Sequence, residues 1–105
     1  MEVIQTDIVV IGAGPGGYAA AFYAADLGKK VLLIERDPRL GGVCMNRGCI
    51  PSKALLNASH MITAAKESAH RGISFGEATI DLNRRRAWKE SILEKLGSGI
   101  ASLAK

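Results

Sequence analysis

Thr6-Asp7-Ile8-Val9-Val10-Ile11 runs directly into Gly12-Ala13-Gly14-Pro15-Gly16-Gly17. The first six residues are rich in β-branched side chains, which favour extended backbone, and the glycines end the run. A GxGxxG pattern carries meaning in this context, after a strand and at the opening of a helix. Gly12, Gly14 and Gly17 fill its three glycine positions. They supply a tight turn, close backbone approach to a pyrophosphate, and close packing of helix on strand. Pro15 suits the first helical turn, where its missing N–H is no loss. Tyr18-Ala19-Ala20-Ala21-Phe22-Tyr23-Ala24-Ala25 continues the helix with small residues that can lie close to a sheet, and Gly28 stands past its end as a cap.

A second strand follows as Lys30-Val31-Leu32-Leu33-Ile34 and finishes at Glu35. An acidic residue about 20 positions beyond the first glycine, at the end of the next strand, can accept hydrogen bonds from ribose hydroxyls and repels a 2′-phosphate. Strand, glycines, helix, strand and carboxylate in this order point to dinucleotide binding. The competing reading is a glycine-rich turn with an incidental glutamate.

Further along, Cys44-Met45-Asn46-Arg47-Gly48-Cys49-Ile50-Pro51-Ser52-Lys53 holds the only two cysteines of the chain. Thiols this close in sequence can close a small ring if the backbone holds their α-carbons about 4.4 to 6.8 Å apart. So short a ring gives little loop-entropy stabilisation. Thiol–disulfide exchange, with one sulfur attacking and the other resolving, is the more productive use. Inert thiols and metal ligands remain alternatives, although Cys44 and Cys49 with His60 and His70 lack finger-like spacing.

With both motifs in hand, the chain resembles the N-terminal part of the FAD-dependent pyridine nucleotide-disulfide oxidoreductases, and most of all their dihydrolipoamide dehydrogenase branch. The residues that carry the likeness are the GxGxxG turn, Glu35, Gly41-Gly42-Val43-Cys44 and Asn46-x-Gly48-Cys49-Ile50-Pro51-Ser52-Lys53. Phe75-Gly76-Glu77, Ile80-Asp81-Leu82 and Ala87-Trp88-Lys89 extend it toward the end. Glutathione and mercuric reductases share the cysteine pair and stand as alternatives, as does a non-catalytic nucleotide-binding fragment.

The resemblance implies a role for each matching position. Cys44 would be the interchange thiol that meets a dithiol substrate, and Cys49 the charge-transfer thiol beside the flavin. Gly12, Gly14 and Gly17, with Pro15 and Gly16, would receive the FAD pyrophosphate. Glu35 and Arg36 would lie at the adenosine end, and Gly41, Gly42, Val43 and Lys53 nearer the ring, where a fixed cation stabilises negative charge on reduced flavin. NAD would be the co-substrate, a lipoyl-bearing protein of a 2-oxo acid dehydrogenase complex the partner, and a homodimer the assembly. Two positions depart from the family pattern. Val43 stands where threonine is usual, and Arg47 where a small apolar residue is common, its side chain expected to point to solvent.

Composition agrees with a folded protein: 105 residues, 48% hydrophobic and 23% charged. The net charge of +4 is modest, and Arg84-Arg85-Arg86 is the one dense basic cluster, read as a solvated helix face rather than a nucleic-acid surface. The apolar run after Asp7 is too short to span a membrane and lacks the surroundings of a signal peptide, so a cytoplasmic, reducing compartment is expected.

Two long helices are predicted for the second half. One runs from Pro51 to about His70 with Ala54, Leu55, Ala58, Ile62 and Ala65 as its apolar stripe. The other starts after Asp81 as N-cap and carries Trp88, Ile92, Leu96, Ile100 and Leu103, with Gly97 and Gly99 weakening its end. The fold class is therefore α/β: a strand-helix-strand unit followed by two long helices, part of a Rossmann-like FAD-binding domain with an incomplete sheet. Residues 1–105 are expected to form that partial domain with the redox pair, without the NAD and interface domains, metal sites or the family's His-Glu pair.

Overall fold

A computed structural model describes the whole chain, Met1–Lys105. Strand β1 (Ile8–Ile11), helix α1 (Pro15–Asp26) and strand β2 (Val31–Ile34) come first. Helices α2 (Gly42–Arg47), α3 (Cys49–Glu67) and α4 (Leu82–Leu103) follow, with a 3-10 turn at Ser68–Arg71 after α3. The expected α/β order is present, and the sheet has two strands only, paired in parallel.

Parallel pairing requires a crossover, which α1 supplies. The register places Ile8 opposite Val31 and Ile11 opposite Ile34. Polar groups fasten its start: Asp7 N–H and Thr6 Oγ1 both donate to the Lys30 carbonyl, and Lys30 N–H donates to Asp7 Oδ2 at 2.9 Å. At the other end Gly12 N–H donates to the Ile34 carbonyl at 2.7 Å. The chain then leaves Gly12 at a φ of +100°, a conformation that favours glycine. A side chain on Gly17 would land on the Gly12 carbonyl oxygen, so helix α1 can start this close to β1 only because Gly17 has none.

The stripe predicted for α3 is the face that is covered: Ala54, Leu55, Ala58, Ile62 and Ala65 are all half-buried among exposed neighbours. Asp81 caps α4 as expected, its Oδ1 accepting from the N–H groups of Asn83 and Arg84 at 3.0 Å. The inner face of α4 is rotated from the predicted one. Leu93, Gly97 and Ile100 are buried, whereas Trp88, Leu96 and Leu103 are exposed. On this inner side the Arg39 stem lies against Gly97, 3.2 Å from where a Cβ would stand. Glycine here serves packing and does not end the helix, which runs on to Leu103.

The cover is thin. Only Ala13, Ala21, Met45, Leu93 and Ile100 form a buried hydrophobic core, and the radius of gyration is 20.0 Å. A compact chain of this length has about 13 Å. Residues 71–80 are all exposed and, past the 3-10 turn, have no regular structure. No helix is long and apolar enough to cross a membrane.

Candidate functional site: a glycine cradle beside a cysteine pair

The β1–α1 turn and the start of α2 are stitched together. Ala13 is fully buried between them; its N–H donates to Glu35 Oε2 at 2.7 Å, and its carbonyl accepts from Gly41 N–H at 2.8 Å. Gly14 and Gly42 come so close that a Cβ on Gly42 would stand 2.7 Å from the Gly14 α-carbon. Gly14 is the N-cap of α1 and has no side chain to cap it. The amides of the first turn are thus left for an external acceptor, and the helix dipole favours an anionic one. Pro15 occupies the first helical position and Gly16 the next, exposed and with open space around it. A cradle of backbone, with glycines where side chains would collide, is the shape that a dinucleotide pyrophosphate requires. These residues fit FAD in that respect.

Glu35 sits just past β2, half-buried, and holds both sides of the turn. Its Oε1 accepts from Asp37 N–H at 3.0 Å while Oε2 takes Ala13 N–H. The Asp37 and Ala13 amides hold its carboxyl below the ordinary 4.5, with the neighbouring Arg36 assisting. Arg36 itself is almost fully exposed. A carboxylate has about four acceptor positions, so one that serves two backbone donors retains capacity for hydroxyls.

The cysteine segment is helical, where the sequence alone suggests a loop. Cys44 lies in α2, and Cys49 is the first residue of α3, with Gly48 as the break between them. A Cβ on Gly48 would stand 3.1 Å from the Val43 carbonyl, which leaves this turn to glycine. Pro51, third in α3, sits in the first turn, where no intrahelical N–H is needed. The helix therefore begins at Cys49, ahead of its proline.

Both cysteines are free thiols, Cys44 half-buried and Cys49 exposed. Cys44 is pushed above the ordinary thiol value of 9.0, first by a hydrogen bond with the Cys49 side chain, then by burial and by charge on Cys49. The Cys49 amide and the Lys53 cation act in the opposite direction. Cys49 stands at the N-terminal end of α3, the end that favours negative charge. Lys53 is exposed one turn further along α3, and Val43 is exposed on α2.

Arg47 does not simply face solvent. Its Nη2 donates to Asp37 Oδ2 at 2.9 Å, so the cation in the cysteine segment is directed at a carboxylate. Arg85, expected in a solvated cluster, instead joins α4 to α3: its Nη2 donates to the Leu55 carbonyl at 2.9 Å and to Ser59 Oγ at 2.7 Å. Arg84 and Arg86 are exposed. His60 and His70 are exposed too, and no group of three or more His, Cys, Asp or Glu side chains could hold a metal ion.

Three residues of the site are not evident from the sequence. Ala13 is the buried pivot of the cradle, Asp37 is the partner of Arg47, and Asn46 braces the segment by donating from Nδ2 to the Leu40 and Gly42 carbonyls at 3.1 and 3.0 Å. The small residue inside GxGxxG is a signal for the first. The Arg47–Asp37 pair depends on the approach of α2 to the segment after β2, and the Asn46 bonds on the local turn into α2.

Residues 6–105 match the family model described as pyridine nucleotide-disulphide oxidoreductase. The chain is 51% identical over 102 residues to a dihydrolipoyl dehydrogenase of Vibrio parahaemolyticus, covering 97% of this chain and 22% of the relative. It is 53% identical to that of Bacillus subtilis, with the same coverage, and 52% identical to that of Haemophilus influenzae, covering 97% and 21%. The chain therefore spans about a fifth of the length of the curated relatives it matches. With the cradle, the acidic strand end and the cysteine pair in one fold, and the family match running through all of them, this chain belongs to the pyridine nucleotide-disulphide oxidoreductase family.

Proposed function

We propose that residues 1–105 form part of the FAD-binding domain of a dihydrolipoyl dehydrogenase and carry its redox-active cysteine pair. The observation that supports this most directly is the placement of Cys44 in α2 and Cys49 at the start of α3, on either side of the Gly48 break and next to the glycine cradle. The parent activity is oxidation of protein-bound dihydrolipoamide with NAD, in a homodimer that serves a 2-oxo acid dehydrogenase complex in the cytoplasm. When bound, FAD accepts the electron pair from the thiols and delivers it to NAD.

The residues of this chain have defined parts in that reaction. The cycle begins from the Cys44–Cys49 disulfide. A substrate thiolate attacks Cys44 Sγ, the Cys44–Cys49 bond breaks, and Cys49 leaves as thiolate. The second substrate thiol, losing its proton, displaces Cys44 from the mixed disulfide, which forms the substrate disulfide and restores the Cys44 thiol. Negative charge stays on Cys49 at the α3 N-terminus, where the helix favours it. The exposed side of Cys49 is the side a flavin ring would cover, with Lys53 near it. The first-turn amides of α1, from Gly14, Gly16 and Gly17, would hold the pyrophosphate, with Gly12 and Pro15 shaping the turn; Glu35 would take the ribose, Gly41 and Gly42 would lie nearer the ring, and Arg36 and Val43 at the margins.

The test is to transplant residues 6–105 into the Bacillus subtilis relative in place of the corresponding segment, then measure bound flavin and dihydrolipoamide-dependent NAD reduction. Activity in this chimera, lost on Cys44→Ser with flavin retained, supports the proposal. Full activity of the Cys44→Ser chimera overturns it.

A further inference from the structure

The redox turn is fastened to the segment after β2 by two adjacent side chains. Asn46 donates to the Leu40 and Gly42 carbonyls, and Arg47, the last residue of α2, reaches Asp37 at 2.9 Å. Asp37 is itself held, because its N–H donates to Glu35 Oε1 at 3.0 Å. Glu35 in turn accepts from Ala13 in the glycine cradle at 2.7 Å. A continuous run of hydrogen bonds therefore leads from the cradle through Glu35, Asp37 and Arg47 to the break between the two cysteines.

Arg47 stands between Cys44 and Cys49 in sequence, immediately before Gly48. Gly48 is the junction between α2 and α3, with φ −135° and ψ −107°. A pin on the residue before that junction limits how far α2 can swing relative to α3. It also fixes where the Arg47 cation goes. Its Nη2 is directed at Asp37 Oδ2, a carboxylate after β2, at 2.9 Å.

We propose that Arg47 is a positioning residue: its ion pair with Asp37 holds the Cys44–Cys49 turn in the geometry that closes the disulfide. This rests on the reading of the cysteines as a redox pair. The charged side chains are 62% and 36% exposed, and surface ion pairs contribute up to about 1 kcal/mol, equivalent to about fivefold in an equilibrium constant. A two- to fivefold effect on disulfide closure is therefore expected.

The test uses the chimera of residues 6–105 with the Bacillus subtilis relative, equilibrated with reduced and oxidised glutathione. One glutathione disulfide oxidises the two thiols: the Cys44–Cys49 bond forms, the glutathione S–S bond breaks, and both protons pass to two molecules of reduced glutathione. The measurement is the equilibrium constant for closure, read by trapping free thiols. Arg47→Gln and Asp37→Asn are each expected to lower it two- to fivefold, and the charge-swapped pair Asp37→Arg with Arg47→Asp to bring it back toward wild type. Circular dichroism on every variant separates a changed turn from lost helix. Singles within 1.5-fold of wild type, or a swapped pair no better than the singles, overturn the positioning role. Failure of the folded, unsubstituted chimera to form the Cys44–Cys49 disulfide at all overturns the redox-pair reading and the inference with it.

Discussion

Glu35 and Ala13 are joined by a 2.7 Å hydrogen bond from the buried Ala13 amide to Glu35 Oε2, which ties the end of β2 to the glycine turn after β1. The residue proposed to bind ribose also organises the cradle. Loss of Glu35 therefore acts in two ways, removing a ligand acceptor and freeing the turn. Glu35→Gln can keep one acceptor but carries no charge. In the chimera it should lower flavin content, and Glu35→Ala should lower it further. Flavin absorbance per polypeptide is the measurement, and equal content in both variants would place the carboxylate outside the flavin site.

The same carboxylate predicts a pH dependence. Its folded value is depressed below the ordinary 4.5 by the Asp37 and Ala13 amides. A depressed acid stabilises the fold when ionised, so the contribution is fully present above the unfolded value and is lost as pH falls through the lower folded one. Urea unfolding of wild type and Glu35→Gln at a series of pH values should show a gap at pH 7 that narrows below about pH 4.5. A gap unchanged down to pH 2 would mean that ionisation contributes nothing.

The thiol pair predicts a pH dependence of alkylation. Cys44 is raised above 9.0, mainly by its hydrogen bond with Cys49, so its reaction with iodoacetamide should be slow near neutral pH and speed up toward alkaline pH. Replacing Cys49 by Ser removes the thiol whose hydrogen bond and charge raise Cys44. The pH profile of Cys44 alkylation in Cys49→Ser should then move to lower pH. Mass spectrometry of the labelled peptides distinguishes the two sites.

Glycine substitutions separate the two uses of glycine in this chain. Gly17→Ala drives a Cβ into the Gly12 carbonyl and should destabilise the fold by about 1 to 3 kcal/mol, the range for overpacking. Gly99, on the exposed side of α4, has open space around it, and Gly99→Ala should stabilise by about 1 kcal/mol through helix propensity. Thermal unfolding of both variants decides the matter, and a neutral Gly17→Ala would contradict the close helix–strand approach.

Much of this fold is legible in the sequence because its signals are local. Strand, glycine turn, acidic strand end, the α3 stripe and the Asp81 cap each depend on residues within a few positions of one another. The features that are not legible depend on approach between distant segments. Nothing near Gly97 in sequence announces the Arg39 stem that lies against it, and nothing in Arg84-Arg85-Arg86 distinguishes the arginine that reaches Leu55 and Ser59. The α2 helix has no clear sequence signal because a six-residue segment with glycine on either side has weak propensity, and side-chain bonds from Asn46 to the backbone at Leu40 and Gly42 support it. At the candidate site, the cysteines and glycines are readable by identity and spacing. The partnership of Arg47 with Asp37 is not, since a sequence can pair opposite charges in too many ways.

The chain of 105 residues, taken alone, should hold FAD weakly and should not reduce NAD with dihydrolipoamide. Its sheet has two strands, each with an outer edge unpaired, and an unpaired edge leaves backbone donors and acceptors to solvent. Ile11 is 84% exposed and Ile34 44%, apolar surface of the kind that contributes about 25 cal/mol per Å² when covered. A domain's net stability is about 5 to 15 kcal/mol, so a deficit spread over several such side chains removes a large part of it. A cradle on a loosened β1–α1 turn loses the preorganisation that lets backbone amides meet a pyrophosphate. The chimera supplies the missing cover from the relative's own sequence, so the two preparations should diverge sharply. Measuring bound flavin and NAD reduction on both is the check. Stoichiometric flavin with turnover by residues 1–105 alone would show that two strands suffice for a working cradle, against the exposure of Ile8, Val9, Ile11 and Ile34.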